Sequence, residues 1–121
     1  MIRDKEHTTE EKAKTHDTMT PLLEAMYLEF KEISKKKPDS AVSKSKIKIV
    51  NRLLEKIRFV LADEESIDFL DVLDEDDVPQ ASDVTLILSQ YVAAMKAFHD
   101  KHYGWDGSNH VWFTQQRGLD S

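Results

Sequence analysis

Residues 43–62 read SKSKIKIVNRLLEKIRFVLA, and this stretch decides the fold class. Ile47, Val50, Leu53, Leu54, Ile57, Val60 and Leu61 return every three or four residues, which places them on one face of an α-helix. Lys44, Lys48, Arg52 and Lys56 step four residues at a time along the opposite side. Asp39, Ser40 and Ser43 supply side-chain oxygens that can cap such a helix, which should run to about Ala62. A helix this amphipathic is stable only when its apolar stripe is buried against a neighbouring element. The neighbours predicted from the flanking sequence are also helical.

Upstream, Thr20 followed by Pro21 predicts a helix start, since threonine caps free N–H groups and proline suits the first helical position. Leu23, Met26, Tyr27, Phe30 and Ile33 continue that helix along one face until Lys37, before Pro38. Residues 1–19 are polar and show no period, so a mobile arm is expected there. Downstream, Ser82 is the expected cap, and Asp83 the favourably charged first turn, of a third long helix ending near Tyr103, with Gly104 as its stop. Val84, Ile87, Leu88, Tyr91, Ala94, Met95, Phe98 and His102 form its main stripe. Leu86, Gln90, Ala93 and Ala97 form a second, uncharged stripe on the far side, suited to a sandwiched position or to self-association.

Between the second and third helices the chain is acidic but carries Ile67, Phe69, Leu70, Val72, Leu73 and Val78, enough apolar groups to pin a short helix and a loop onto the bundle. Trp105, Val111, Trp112 and Phe113 sit among turn residues after Gly104 and should cover one end of the bundle. The expected fold class is all-α: a small helical bundle of three long helices plus one or two short ones, with an irregular aromatic C-terminal tail. The expected divisions are an arm at 1–19, the bundle at 20–104 and the packed tail at 105–121.

The chain of 121 residues suffices for one core and no second domain. It contains no cysteine, so thiolate metal sites, disulfides and cysteine nucleophiles are excluded. No apolar run approaches a membrane span or a secretory signal, so a cytoplasmic protein without membrane contact is expected. His99, His102 and His110 lie close in sequence to Asp100 and Asp106, but their spacing matches no zinc pattern, and packing histidines are expected rather than a metal site. The acids at 74–77 fail as a calcium loop because Val78 and Pro79 stand at the fifth and sixth positions. The arginine-then-histidine spacing of helical ribonuclease domains is missing, and three glycines are too few for a phosphate-cradling loop. Neither an enzyme nor a cofactor is expected.

Charge is sharply divided. From Lys35 to Arg58 nine basic residues face only Asp39 and Glu55, whereas from Asp63 to Asp83 there are ten acids and no base. The leading expectation is a non-enzymatic accessory protein that binds another protein, or itself as a homo-oligomer, through Phe59, Leu86, Gln90, Ala93 and Ala97. The competing expectation is nucleic-acid binding through Lys44, Lys48, Arg52 and Lys56. A further alternative is an acidic inhibitor of a nucleic-acid-binding protein, acting through residues 63–77.

Overall fold

The structure, a computed structural model, describes residues 5–115. The fold is all-α, with helix α1 at Glu10–Lys36, α2 at Lys44–Val60, a 3-10 helix at Glu65–Phe69 and α3 at Ala81–His102. α2 runs as its sequence predicts: the Ser43 hydroxyl accepts the Lys46 N–H, and Ile47, Val50, Leu54, Ile57 and Val60 are essentially inaccessible. Each such side chain contributes about 1.5–3 kcal/mol of burial free energy.

α1 starts at Glu10, which corrects the expected start at Thr20–Pro21. Thr9 is the cap, its hydroxyl accepting the Lys12 N–H at 3.1 Å, and Glu10 and Glu11 occupy the positive end of the helix dipole. Pro21 lies inside the helix, and beside it the Thr20 hydroxyl donates to the His16 carbonyl at 2.7 Å. Residues 10–19, expected as part of an arm, form the first turns because Ala13 and His16 extend the buried stripe of Leu23 and Phe30 toward the N-terminus. A histidine in a core position concealed that period. Residues 1–4 and 116–121, parts of the expected arm and tail, lie outside the described residues.

α1 packs against both α2 and α3. The turns that lead into α2 and α3 are joined by Val42 N–H to the Pro79 carbonyl (3.0 Å), Ala81 N–H to the Ser40 carbonyl (2.8 Å) and Ser82 N–H to the Pro38 carbonyl (3.0 Å). α2 and α3 therefore begin side by side, and both run antiparallel to α1. The cap of α3 is Gln80, correcting Ser82, and the Asp83 carboxylate accepts the Gln80 N–H at 2.9 Å. Val78, a β-branched residue with φ 46°, turns the chain just before this cap, a conformation that costs such a side chain about 1–3 kcal/mol.

Residues 70–79, which turn at 75–77, form a strap over the seam between α2 and α3. The Asn51 side chain donates to the Leu73 carbonyl (2.7 Å) and accepts the Leu73 N–H (2.9 Å), so it pairs with the strap as a neighbouring strand would. Arg58 donates to the Leu70 carbonyl and to the Tyr91 hydroxyl, which in turn donates to the Asp71 carbonyl at 2.9 Å. Burial pushes the Tyr91 phenol up, which keeps it a donor. Leu70 and Leu73 point into the core, and Ile67 is half-buried. Phe69, Val72 and Val78 are exposed, which corrects the expectation that all six apolar groups pin this segment.

Within the described part of the expected C-terminal tail, β1 at Tyr103–Trp105 and β2 at His110–Trp112 form an antiparallel hairpin with Tyr103 opposite Trp112, where an irregular segment was expected. Asp106 shapes the turn, its carboxylate accepting the N–H groups of Ser108 and Asn109 at 2.8 Å. Trp112 meets the His16 ring edge-on with centroids 5.0 Å apart and donates its indole N–H to Asp17 at 3.0 Å, closing the seam between α1 and α3 at that end. His16 stacks on Phe98 and donates from Nε2 to the Met95 carbonyl at 2.8 Å. No helix among the described residues is long and apolar enough to cross a membrane.

Asn51→Ala leaves both Leu73 backbone groups without their partner and should lower unfolding free energy by about 2 kcal/mol, with faster hydrogen exchange across 70–78, measured by denaturant titration and exchange mass spectrometry. Burial lowers the His16 pKa against the opposing pull of Met95 and Asp17, so the fold favours the neutral ring. Its stabilising contribution is full above the ordinary histidine pKa of about 6.5 and is lost as pH falls through the lowered native value. Comparing stability at about pH 7.5 and about pH 5, His16→Gln, which keeps an N–H for Met95, should lose less stability on acidification than wild type.

Candidate partner-docking groove

The helices define three seams: α1 packs directly on α2 and on α3, while Arg58 and Tyr91 bridge α2 to α3. The strap covers the seam between α2 and α3, and the hairpin covers the end of that between α1 and α3. The α1–α2 seam stays open as a groove of about 660 Å³ lined by Met19, Leu22, Met26 and Phe30 from α1 and Ile49 and Leu53 from α2. Leu22 and Ile49 are each about half exposed, at 53% and 51%, although neither has a polar atom to present to water. Met19, Leu22 and Met26 follow the three- and four-residue spacing of one helix face, and Ile49 and Leu53 that of the other.

Charge marks the rims. Arg52 and Lys56 stand on the α2 side and Glu29 on the α1 side. None of the three enters an ion pair among the described residues. Their charges are available to a ligand lying in the groove. The floor offers shape and apolar area to a ligand.

The basic row predicted from sequence is partly dispersed by the fold. Lys44, Lys48, Arg52 and Lys56 are all exposed, but Lys44 pairs with Asp76 of the acidic segment at 3.5 Å. The two charge blocks thus touch at the start of α2, while Arg52 and Lys56 remain beside the groove. Phe59 is 39% exposed and lies under the Lys12 ammonium, 5.8 Å from the ring centroid, outside the groove lining. Lys12 also pairs with Asp63 at 2.6 Å and holds that carboxyl below its usual range. Leu86, Gln90, Ala93 and Ala97 are exposed on α3, so this second stripe is not sandwiched among the described residues. None of the four lines the groove.

The histidines are not brought together as ligands. His102 is buried and donates from Nδ1 to the Glu6 carbonyl at 2.6 Å, with Nε2 3.8 Å from Glu64. His99 stacks on Tyr103, and His110 packs against Trp105. Among the described residues no group of three or more histidines and acids could hold a metal ion. A polar recess of about 260 Å³ beside His102 contains Lys12, Asp63, Glu64 and Lys101, whose pairs Lys12–Asp63 and Lys101–Glu64 tie α1 and α3 to the segment that follows α2.

Leu22 and Ile49 escaped sequence reasoning because each falls outside its helix's main stripe. The available signal was an apolar residue off the stripe on two consecutive helices, the pattern left when both helices flank an uncovered seam. No protein-family model, curated protein or solved structure matches the chain.

The groove should bind 8-anilinonaphthalene-1-sulfonate, an apolar ring system with one anionic group suited to Arg52 and Lys56. Ile49→Glu should weaken dye binding by about tenfold or more, as expected from losing one buried aliphatic contact. Because Ile49 is half exposed, unfolding free energy should stay within about 0.5 kcal/mol of wild type, which a denaturant titration reads.

Proposed function

We propose that this chain is a non-enzymatic, cytoplasmic accessory protein that acts by seating an amphipathic segment of another protein in the α1–α2 groove. The observation that carries the reading is the combination of an uncovered apolar floor with unpaired rim charges. Amphipathic helices dock into such grooves through residues at i, i+3, i+4 and i+7. From Met19 to Phe30 the groove follows α1 for about 16 Å, three turns of helix, so a ligand of similar length suffices. Its apolar face would complete the bundle as a fourth element. Two cations face one carboxylate across the rims, which favours acidic residues along the ligand's α2-side flank.

Nucleic-acid binding is the second reading, supported by Lys48, Arg52 and Lys56 standing exposed along one side of α2. It calls for a steep loss of affinity with salt. The apolar floor favours the protein ligand, because phosphates gain nothing from Leu22 and Ile49.

Affinity capture from the native cell, with nuclease treatment, separates the readings. A protein partner should survive nuclease, be lost with Ile49→Glu, and be kept by the double variant Ala93→Glu, Ala97→Glu. Recovery of nucleic acid alone would favour the second reading. A partner lost with the Ala93 and Ala97 changes instead would move the interface to α3.

A further inference from the structure

We infer that Phe69 from a second copy of this chain is a ligand of the α1–α2 groove, so that copies associate head to tail. The inference rests on the groove being a docking site, and it supplies one occupant from the same molecule. Phe69 is 78% exposed, more than any other large apolar side chain among the described residues, and Val72 three residues on is 43% exposed. Phe69 and Val72 together give one exposed apolar patch on the strap, and aromatics of this kind, once buried, are the usual anchors of protein interfaces.

The local chain explains why these two groups face outward. Leu70 and Leu73 are drawn into the core, and the strap backbone is fastened by Arg58, Tyr91 and Asn51. With those anchors taken, Phe69 and Val72 have nowhere to go but solvent. Exposed acids surround them: Glu65, Asp68, Asp71 and Asp74. The result is an apolar knob in an acidic collar. The groove is its counterpart, an apolar hollow with Arg52 and Lys56 on its α2 rim against the single carboxylate of Glu29 on the α1 rim.

Intramolecular docking is prevented by the same fastenings, because the strap is held over the α2–α3 seam while the groove lies between α1 and α2. Knob and hollow are separate patches on one molecule. A contact between them is heterologous: it leaves one knob and one hollow free at the ends and permits growth unless the ring closes. A partner segment in the groove would compete with this association, so the self-contact also keeps the apolar floor covered in the absence of the partner.

Sedimentation velocity over a concentration series tests the inference, using wild type, Phe69→Asp, Ile49→Glu, and an equimolar mixture of the two variants. Both altered side chains are exposed, and circular dichroism checks that each variant folds. Wild type should increase its weight-average mass at least about twofold by about 100 μM. Each variant alone should remain monomeric. The mixture should form a dimer that grows no further, since only the intact knob of one variant and the intact hollow of the other can pair.

A monomeric wild type at that concentration would overturn the inference. Association abolished by Ile49→Glu but unchanged by Phe69→Asp would also overturn it, assigning the groove to a symmetric contact. Association that survives both changes would place the interface elsewhere. Failure here is separable from failure of the groove reading, because dye and partner binding depend on Ile49 and not on Phe69.

Discussion

The paired hydrogen bonds between the Asn51 amide and the Leu73 backbone decide how this bundle is finished. Three helices cannot cover all their own seams, and an extended segment needs partners for its backbone before it can cover one. Asn51 offers a donor and an acceptor in the arrangement of a neighbouring strand, and Arg58 with Tyr91 fastens the strap again about two turns further along α2. The strap thereby closes the α2–α3 seam. Its commitment there leaves the α1–α2 seam open, with Leu22 and Ile49 still facing water.

Electrostatics follow from the same placement. The acidic segment is held alongside the basic helix, close enough for Asp76 to pair with Lys44, so the opposed charge blocks are neighbours rather than distant poles. At the groove, Arg52, Lys56 and Glu29 enter no ion pair among the described residues, and exposed acids flank Phe69. In a chain of formal net charge -6, a basic rim on an apolar groove distinguishes that face from the rest of the surface. Such a rim steers approach and selects ligands by sign, while the apolar floor supplies the affinity.

The three helices were legible because their apolar residues recur at helical spacing, and α2 carries that period without interruption. The N-terminal half of α1 was not, because its stripe passes through His16, whose fitness for the core depends on the Met95 carbonyl and the rings of Phe98 and Trp112, all distant in sequence. The hairpin was hidden by its brevity, with strands of three residues whose pairing is stabilised by packing on α3. The basic half of the groove rim was visible as a row on one helix. Its apolar floor was not, since it arises only when two helices are placed side by side and the third seam is covered by something else.

The central claim, that the α1–α2 seam is open while the core beneath it is closed, is tested most directly by methyl relaxation in the presence of a soluble paramagnetic agent. At low protein concentration, where the seam is unoccupied, the methyl groups of Leu22 and Ile49 should relax as fast as those of exposed surface residues. Those of Leu54, Ile57 and Val84, which are inaccessible to solvent, should be protected. Equal protection of Leu22, Ile49 and the core methyls would contradict the account, because it would mean that the chain already covers this seam itself.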